Sequence, residues 1–408
     1  MRIVHTADWH LGNCFYGHDR MVEHRHFLNW LLNVLRQQLP DVLIISGNIF
    51  DSVHPSAPAV RLLYDFLLEA VDAVRGLQIV MIAGSRDSSE RLEAAAGLLK
   101  RHNIYVRGKV SYTQDGNINF ENLILPLSRR LHTEAEMVCL AIPYLRSNDY
   151  PEGLTLGEGM QFYFENIRRQ LHKSDFRKLP VMATAHFHVQ GAEITEDEHR
   201  EWWLIGGQDN IRAEVVGNGL SYVALGNVHR AQRIDYDRAE IYYSGSVLPM
   251  SFADANLKYG VQVVELDALG NTRVDRVTYA PLRHLLIIPE GEATVEHVFE
   301  SIRNLPKRKK NECGDDWPYL EIRLQTRQSD PNLLHEVNEA LMDRAVHFCH
   351  MVREWTEKPV TASLSSSRRT KSSLDPLEMA KTIYASRQHE ILPEELVTRF
   401  KEAEQHCR

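Results

Sequence analysis

Paired cysteines are missing from this sequence. Its five cysteines (Cys14, Cys139, Cys313, Cys349 and Cys407) form no C-x-x-C pair. Neither a zinc ribbon nor a disulfide framework is indicated, and plain reduced thiols are the better reading. No run of about 18 apolar residues occurs, so no membrane-spanning helix is expected. The opening "MRIVHTADWH" lacks the long apolar core of a secretory signal, and a cytoplasmic location is the expectation. Excess positive charge is also missing. Lys and Arg number 47 against 55 Asp and Glu, which gives a net charge of −8 and a pI near 6.2. A chain that gripped nucleic acid alone would be more basic. If nucleic acid is a ligand, a metal or a partner must offset part of the phosphate charge. No internal repeat is evident. What is present is an ordinary globular composition over 408 residues, enough for two or three domains.

The patterns alternate along the chain. "RIVHTAD" is a short apolar strand ending in polar residues. Residues 19–38 carry Phe27, Trp30, Leu31, Val34 and Leu35 at helical spacing. "DVLIISG" is continuous, β-branched and closed by Gly47, the pattern of a strand buried on both faces. A helix over 59–74, a strand at "LQIVMIAG", a helix over 88–102 and a strand at "IYVRGKV" follow. Further strands read at "VCLAIPY", "PVMATAHFHV", "SYVALGNVH" and "IYYSGSV". Such alternation implies a parallel sheet covered by helices, with the chemistry at the carboxyl ends of the strands.

Near residue 282 the pattern changes. "HLLIIPE", helical "TVEHVFESIRNL", "YLEIRLQT", helical "NLLHEVNEALMDR" and "HFCHMVREW" make a small β-α-β-α-β unit. "TASLSSSRRTKSS" then reads as a mobile linker. Beyond it Asp375, Pro376 and Glu378 form a helix start. Leu377, Ala380, Ile383 and Tyr384 give one apolar face, and Leu396, Val397 and Phe400 another. The expected division is a first domain over 1–281, a small domain over 282–356, a linker over 357–374 and a helix pair over 375–408.

Five loops follow strands in order: "ADWHLG" (Asp8, His10), "GNIFD" (Asn48, Asp51), "GSRDS" (Ser85, Arg86, Asp87), "AHFH" (His186, His188) and "GNVHRAQ" (Asn227, His229). The arrangement resembles the calcineurin-like metallophosphoesterases and, within them, the SbcD nucleases of bacterial SbcCD complexes. "TADWHLG", "EHRHFLNWLL", "LGNVHRAQ" and "YYSGSVLPMSF" carry the likeness along nearly the whole chain. The resemblance implies an α/β four-layer metallophosphoesterase sandwich, a small α+β capping domain and a C-terminal helix pair. It implies a Mn2+-dependent exonuclease on double-stranded DNA ends and endonuclease on hairpins, in DNA replication, recombination and repair. It also implies a homodimer assembled with an SbcC-like ATPase of the SMC type into a heterotetramer, docked through Leu377, Ile383, Tyr384, Leu396 and Phe400.

In the family two ions about 3.5–4 Å apart clamp the phosphate and activate a water. Carboxylate, imidazole and amide oxygen suit Mn2+. Carried over by position, one ion would use Asp8, His10, residue 48 and His229. The other would share residue 48 and use residue 85, His186 and residue 227. Residue 86 would protonate the leaving oxygen, and Asp51 and Asp87 would hold the loops. The sequence departs at four of these places. The family's bridging aspartate is Asn48, the amide ligand is Ser85, the catalytic histidine is Arg86, and the first histidine of G-H-x-H is Asn227. Four changes in one constellation lead us to expect one weakly bound ion or none, and impaired cleavage. A guanidinium at 86 cannot donate a proton near neutral pH. It can pair with a phosphate. The alternative is a non-catalytic, DNA-end-binding scaffold for the ATPase.

Blander readings stand beside these. His186 could be a satisfied core histidine, and His188 fits a structural role. His5, His18, His24 and His26 read as helix-face or surface residues. The basic run Lys307, Arg308, Lys309, Lys310 reads as a solvated loop or a phosphate contact. Trp202 and Trp203 read as core or interface.

Overall fold

The structure, a computed structural model, describes residues 1–195, 211–291, 293–310, 313–326 and 332–355, with positions 381, 384, 393, 396, 397 and 399. They belong to two units, Met1–Thr356 and Glu357–Arg408. Trp202, Trp203, Leu377, Ile383, Phe400 and Cys407 lie outside the described residues. In the second unit Tyr384 and Leu396 are helical, and Leu396 and Val397 hang their amides on the Pro393 carbonyl.

In the first unit β1 (Arg2–Thr6) leads to a tight hairpin of β2 (Cys14–Phe15) and β3 (His18–Asp19), then α1 (Met21–Gln38). Next come β4 (Val42–Ser46), α2 (Ala57–Ala73) and β5 (Gln78–Ile82). Two short helices, α3 (Ser89–Glu93) and α4 (Ala96–Leu99), precede β6 (Ile104–Arg107). The single helix expected over 88–102 is therefore broken. Glu93 leaves it to accept the amides of Gly108 and Lys109, and this ties the first turn to the end of β6.

The second half supplies β7 (Ile124–Leu127), β8 (Met137–Ala141), α5 (Leu156–Lys173), β9 (Val181–His186), β10 (Tyr222–Gly226), β11 (Gln232–Ile234) and β12 (Glu240–Tyr243). Two long strands, β13 (Tyr259–Leu266) and β14 (Thr272–Tyr279), return to the first sheet. Two six-stranded sheets result, in the orders β14-β13-β1-β4-β5-β6 and β11-β12-β10-β9-β8-β7. The β1-β4-β5-β6 and β8-β9-β10-β12 runs are parallel.

Alternation along these strands builds the layers. Ile3, Val42, Ile44, Val80 and Ile82 face Met137, Cys139, Met182 and Ala224 between the sheets. Val4, Leu43, Ile45 and Met81 point outward onto Phe27 and Leu31 of α1 and Leu63 and Phe66 of α2. Val138, Leu140, Ala183 and Val223 point outward onto Tyr163, Phe164 and Ile167 of α5. The stack is helix, sheet, sheet, helix, the α/β four-layer sandwich. The central strands β1, β4, β5, β9 and β10 are covered on both faces, hence their unbroken apolar runs. A buried aliphatic side chain here is worth ~1.5–3 kcal/mol. Cys139 lies in the inter-sheet core, and burial pushes its thiol up to about 12. The described cysteines are all free. No helix among the described residues is long and apolar enough to cross a membrane.

From Leu285 the chain forms a third, parallel sheet of β15 (Leu285–Ile288), β16 (Tyr319–Thr326) and β17 (His347–Trp355). Helices Val295–Asn304 and Leu333–Leu341 cover one face through Val298, Ile302, Val337 and Leu341. The other face sets Tyr319 against Phe15 and Phe252, so this sheet leans on the β2–β3 hairpin. Lys307 pairs with Asp343 at 3.3 Å, and Arg308 lies over the Trp317 ring. Lys307 and Arg308 of the basic run are thus engaged inside this small unit.

His5 is not a surface residue. It is fully buried on β1, with Nδ1 2.9 Å from the Tyr222 hydroxyl. His24 is buried on α1. Burial brings both imidazoles down to about 3 from an ordinary value of 6.5. The folded chain keeps them neutral, whereas the unfolded chain takes up their protons below pH 6.5. Stability is therefore expected to fall as pH drops from 6.5 toward 3, by ~1.4 kcal/mol per pH unit for each. Asp87, whose carboxyl burial pushes upward, acts in the opposite sense. Urea midpoints measured from pH 7 to pH 5 check this, and a flat profile would contradict it.

Candidate metal centre

Because the central strands are parallel, their carboxyl ends lie on one side, and five loops converge there. β1 delivers Asp8 and His10, and β4 delivers Asn48 and Asp51. β5 delivers Ser85, Arg86 and Asp87, β9 ends on His186, and β10 delivers Asn227 and His229. The first two loops run side by side through Asp8 N–Gly47 O (3.0 Å), His10 N–Asn48 O (3.0 Å) and Leu11 N–Ile49 O (2.9 Å). The approach is close enough to require glycine. A Cβ on Gly84 would stand 2.2 Å from Asn48 N, and one on Gly226 would stand 2.0 Å from Ser46 O. Of the eight non-glycine residues with positive φ among the described residues, four are here: Asp8 (52°), His10 (48°), Asn48 (49°) and Asn227 (92°). Backbone held in this region concentrates at functional sites.

Asp8, His10 and His229 bring one ligand atom each within 4.8 Å of one another. His10 Nδ1 donates to Asp51 Oδ1 at 3.1 Å, so its Nε2 carries the lone pair. That atom is buried without a hydrogen-bond partner. His186 repeats the device. Its Nδ1 donates to the Ser46 carbonyl at 2.8 Å, and its buried Nε2 is likewise without a partner. Burial lowers His10 to about 4 and His186 to about 3, so both rings are neutral near pH 7. A buried, unsatisfied imidazole lone pair whose tautomer is fixed from behind is the donor a divalent ion requires. On the Asp8–His10–His229 side the residues fit one ion.

The other side is built differently. Asn48 Nδ2 donates to Asp8 Oδ1 at 3.1 Å. Asn48 Oδ1 accepts from Ser85 Oγ at 3.3 Å and from the Arg86 amide at 3.0 Å. The neighbours dictate this orientation, because the flipped amide would set oxygen against carboxylate and NH2 against N–H. Asp8 further accepts the Asn227 amide at 3.0 Å through Oδ2. The carboxamide is thus satisfied at both ends by protein. Arg86 contributes a positive charge that helps lower both His10 and Asp51. Among the described residues His186 is the one imidazole on this side. A neutral bridge, a hydroxyl and a nearby guanidinium do not fit a second divalent ion.

Asp51 and Asp87 brace the loops. Burial works to raise Asp51, but the hydrogen bonds from His10 and Asn13 and the nearby positive charge together outweigh this and hold the carboxyl below its ordinary value. Asp87 accepts the amides of Ile49 (3.1 Å), Phe50 (2.9 Å) and Gly84 (2.8 Å), and so clamps the second loop to the third. His188 is buried beside the site, outside the Asp8 group. Three contributors were missed in the sequence. Ser46 fixes His186 by its carbonyl, Tyr144 stands edge-on to the His186 ring, and Asn13 hydrogen-bonds Asp51. Only Asn13 left a trace, as the residue immediately after "ADWHLG".

Residues 1–229 match the family model described as calcineurin-like phosphoesterase. Residues 281–388 match the type 5 capsule protein repressor C-terminal domain. The chain is similar to a protein of Rhodobacter capsulatus named as the SbcD component of the nuclease SbcCD, with 32% identity over 79% of this chain and 80% of that one. It is similar to proteins of the same name from Bacillus subtilis (32%, 65% and 66%) and Escherichia coli K12 (28%, 93% and 91%).

Proposed function

This chain belongs to the calcineurin-like phosphoesterases as a member of the SbcD nucleases, and from that premise we propose an SbcD-type nuclease component that retains one of the two ion positions. In this reading it engages double-stranded DNA ends and hairpins within an SbcCD-type complex and cuts them poorly. The observation that carries the reading is the Asn48 carboxamide, hydrogen-bonded between Asp8 and the Ser85–Arg86 loop.

Asp8, His10 and His229 would hold one divalent ion, with Mn2+ suited to the donor set. When bound, such an ion polarises a phosphoryl oxygen and lowers the pKa of a coordinated water. The chain's own groups do the rest. Asp51 fixes the His10 tautomer. Asn48 disperses the Asp8 charge without adding any. Arg86 offers a guanidinium for phosphate pairing but no transferable proton. Leaving-group protonation thus has no donor at residue 86, and general acid–base help is worth roughly 10²–10⁴-fold. In the limit where no ion is held, the chain is a DNA-end-binding scaffold for its ATPase.

The test combines a Mn2+ titration with hairpin cleavage by the unmodified protein, its ATPase partner, Mn2+ and ATP. One ion or none, with cleavage near background, is expected. Two bound ions, or robust cleavage lost on Asp8→Ala, would overturn the reading.

The SbcD proteins named above are components of SbcCD complexes, so an SbcC-like ATPase is the partner we assign. We further propose docking through Leu377, Ile383, Tyr384, Leu396 and Phe400 and a homodimer within a heterotetramer. Deleting residues 374–408 should abolish co-purification with the ATPase and leave the rest folded. Undiminished complex formation by the truncated chain would remove that assignment.

A further inference from the structure

A buried hydrogen-bond relay runs from the third sheet to the ion-binding imidazole. It begins at Arg283, which donates through Nε to the Asp315 carbonyl (2.9 Å) and through Nη1 to the Tyr319 hydroxyl (2.8 Å). Tyr319, on β16, donates to Glu23 Oε2 at 2.5 Å. Glu23, on α1, accepts Arg20 Nε at 3.1 Å on the same oxygen. Arg20 Nη1 reaches Asn13 Oδ1 at 3.5 Å, and the Asn13 side chain hydrogen-bonds Asp51. Asp51 holds His10 Nδ1. The middle is sealed: Arg20 is 1% exposed, Glu23 0%, Tyr319 0% and Arg283 6%.

We infer that Tyr319 and Glu23 are positioning residues for His10, so that the third sheet sets the ion affinity of the phosphoesterase site. Water cannot replace a lost partner in the sealed segment. A displacement of β16 must therefore pass to Glu23 and Arg20 or leave a buried charge unpaired. Charge-assisted bonds at each end of Glu23 make transmission the cheaper course. The third sheet also holds this region through the His18 contact with the Phe348 carbonyl and the stacking of His350 on Tyr16. Its Tyr319 ring packs at 4.7 Å on Phe15 of the hairpin, which joins the His10 loop to α1. A mutant cycle measures the coupling along the relay. The inference rests on the reading that Asp8, His10 and His229 hold an ion.

Tyr319→Phe keeps the ring and removes only the hydroxyl. Two readouts are taken in the full chain: Co2+ affinity from its visible absorption, and the His10 ring nitrogen signals of ion-free protein by NMR. Partners of this kind change metal affinity by roughly 10–100-fold. Tyr319→Phe should weaken Co2+ binding about tenfold in the natural background and by less than about twofold in Asp51→Asn. The His10 signals should shift, while those of His5, held by Tyr222, stay fixed. Equal losses in both backgrounds, or unchanged affinity with an unmoved His10, would overturn the inference. If the natural chain takes up no Co2+, the one-ion reading fails by itself, and the His10 signals still decide the relay. Should Tyr319→Phe not fold, Asn13→Ala interrupts the relay at its half-buried end and is judged by the same readouts.

Discussion

Changing Asn48→Asp, Ser85→Asn, Arg86→His and Asn227→His together is expected to raise Mn2+-dependent hairpin cleavage by at least ~10²–10⁴-fold, the worth of restored acid–base assistance alone. Two divalent ions held side by side repel strongly, and a shared carboxylate is what offsets that repulsion. Asn48 supplies a neutral amide instead, and its Nδ2 is already spent on Asp8. Restoring Asn48→Asp alone should achieve little, because Ser85, Arg86 and Asn227 still deny a second ion its ligands. It should also carry a cost. The new carboxylate would lie about as close to Asp8 as the present 3.1 Å contact, with no proton or ion between them. Like charges so placed raise each other's pKa and destabilise the site. The single variant should therefore melt lower than the natural chain without ions and recover when Mn2+ is added. The quadruple variant should do the same and also cleave. Failure of the quadruple variant to gain cleavage while binding two ions would show that the loops are no longer set for chemistry.

The ladder of parallel strands and the site loops were legible for one reason. Strands β1, β4, β5, β9 and β10 are buried on both faces and end at a glycine or a polar loop, so run and stop both show in sequence. Edge strand β14 was not legible, because "TRVDRVTY" alternates between half-buried and exposed positions, and its neighbour β13 was missed although it is buried along nearly its whole length. Helix α5 was missed although "TLGE" spells its capping box at Thr155 and Glu158. The four departures at residues 48, 85, 86 and 227 could be seen as letters. That Asn48 bonds Asp8 on one side and the Arg86 amide on the other could not, since partner and orientation are set by the meeting of loops 38 and 40 residues apart. The same holds for Glu23 and Tyr319, 296 residues apart, and for His5, whose burial depends on a strand of the other sheet.

The largest effect on stability is expected from Glu23→Ala. Glu23 is fully buried and accepts Arg20 through both oxygens, at 3.1 and 3.3 Å, with Tyr319 at 2.5 Å and Arg283 3.7 Å away. Its carboxylate is the common counter-charge for two guanidinium groups that are 1% and 6% exposed. Replacing such a group by well-packed apolar residues throughout can be neutral, but removing one partner leaves the others charged and dry. That costs about 3–5 kcal/mol. A domain's whole stability is about 5–15 kcal/mol, so the variant should be marginal or fail to accumulate. A control isolates burial from pairing. Arg2 and Glu265 form a pair of 2.7 Å with side chains 42% and 49% exposed. Screening by solvent holds its worth to about 1 kcal/mol or less, so Glu265→Ala should barely move the urea midpoint. Glu23→Gln should fall between the two, since it keeps the volume and one acceptor while losing the charge. A Glu23→Ala midpoint equal to that of Glu265→Ala would show that Arg20 and Arg283 find other partners. The third sheet would then be held to the hairpin by the Phe15–Tyr319 packing, the Tyr16–His350 stack and the His18 contact with the Phe348 carbonyl.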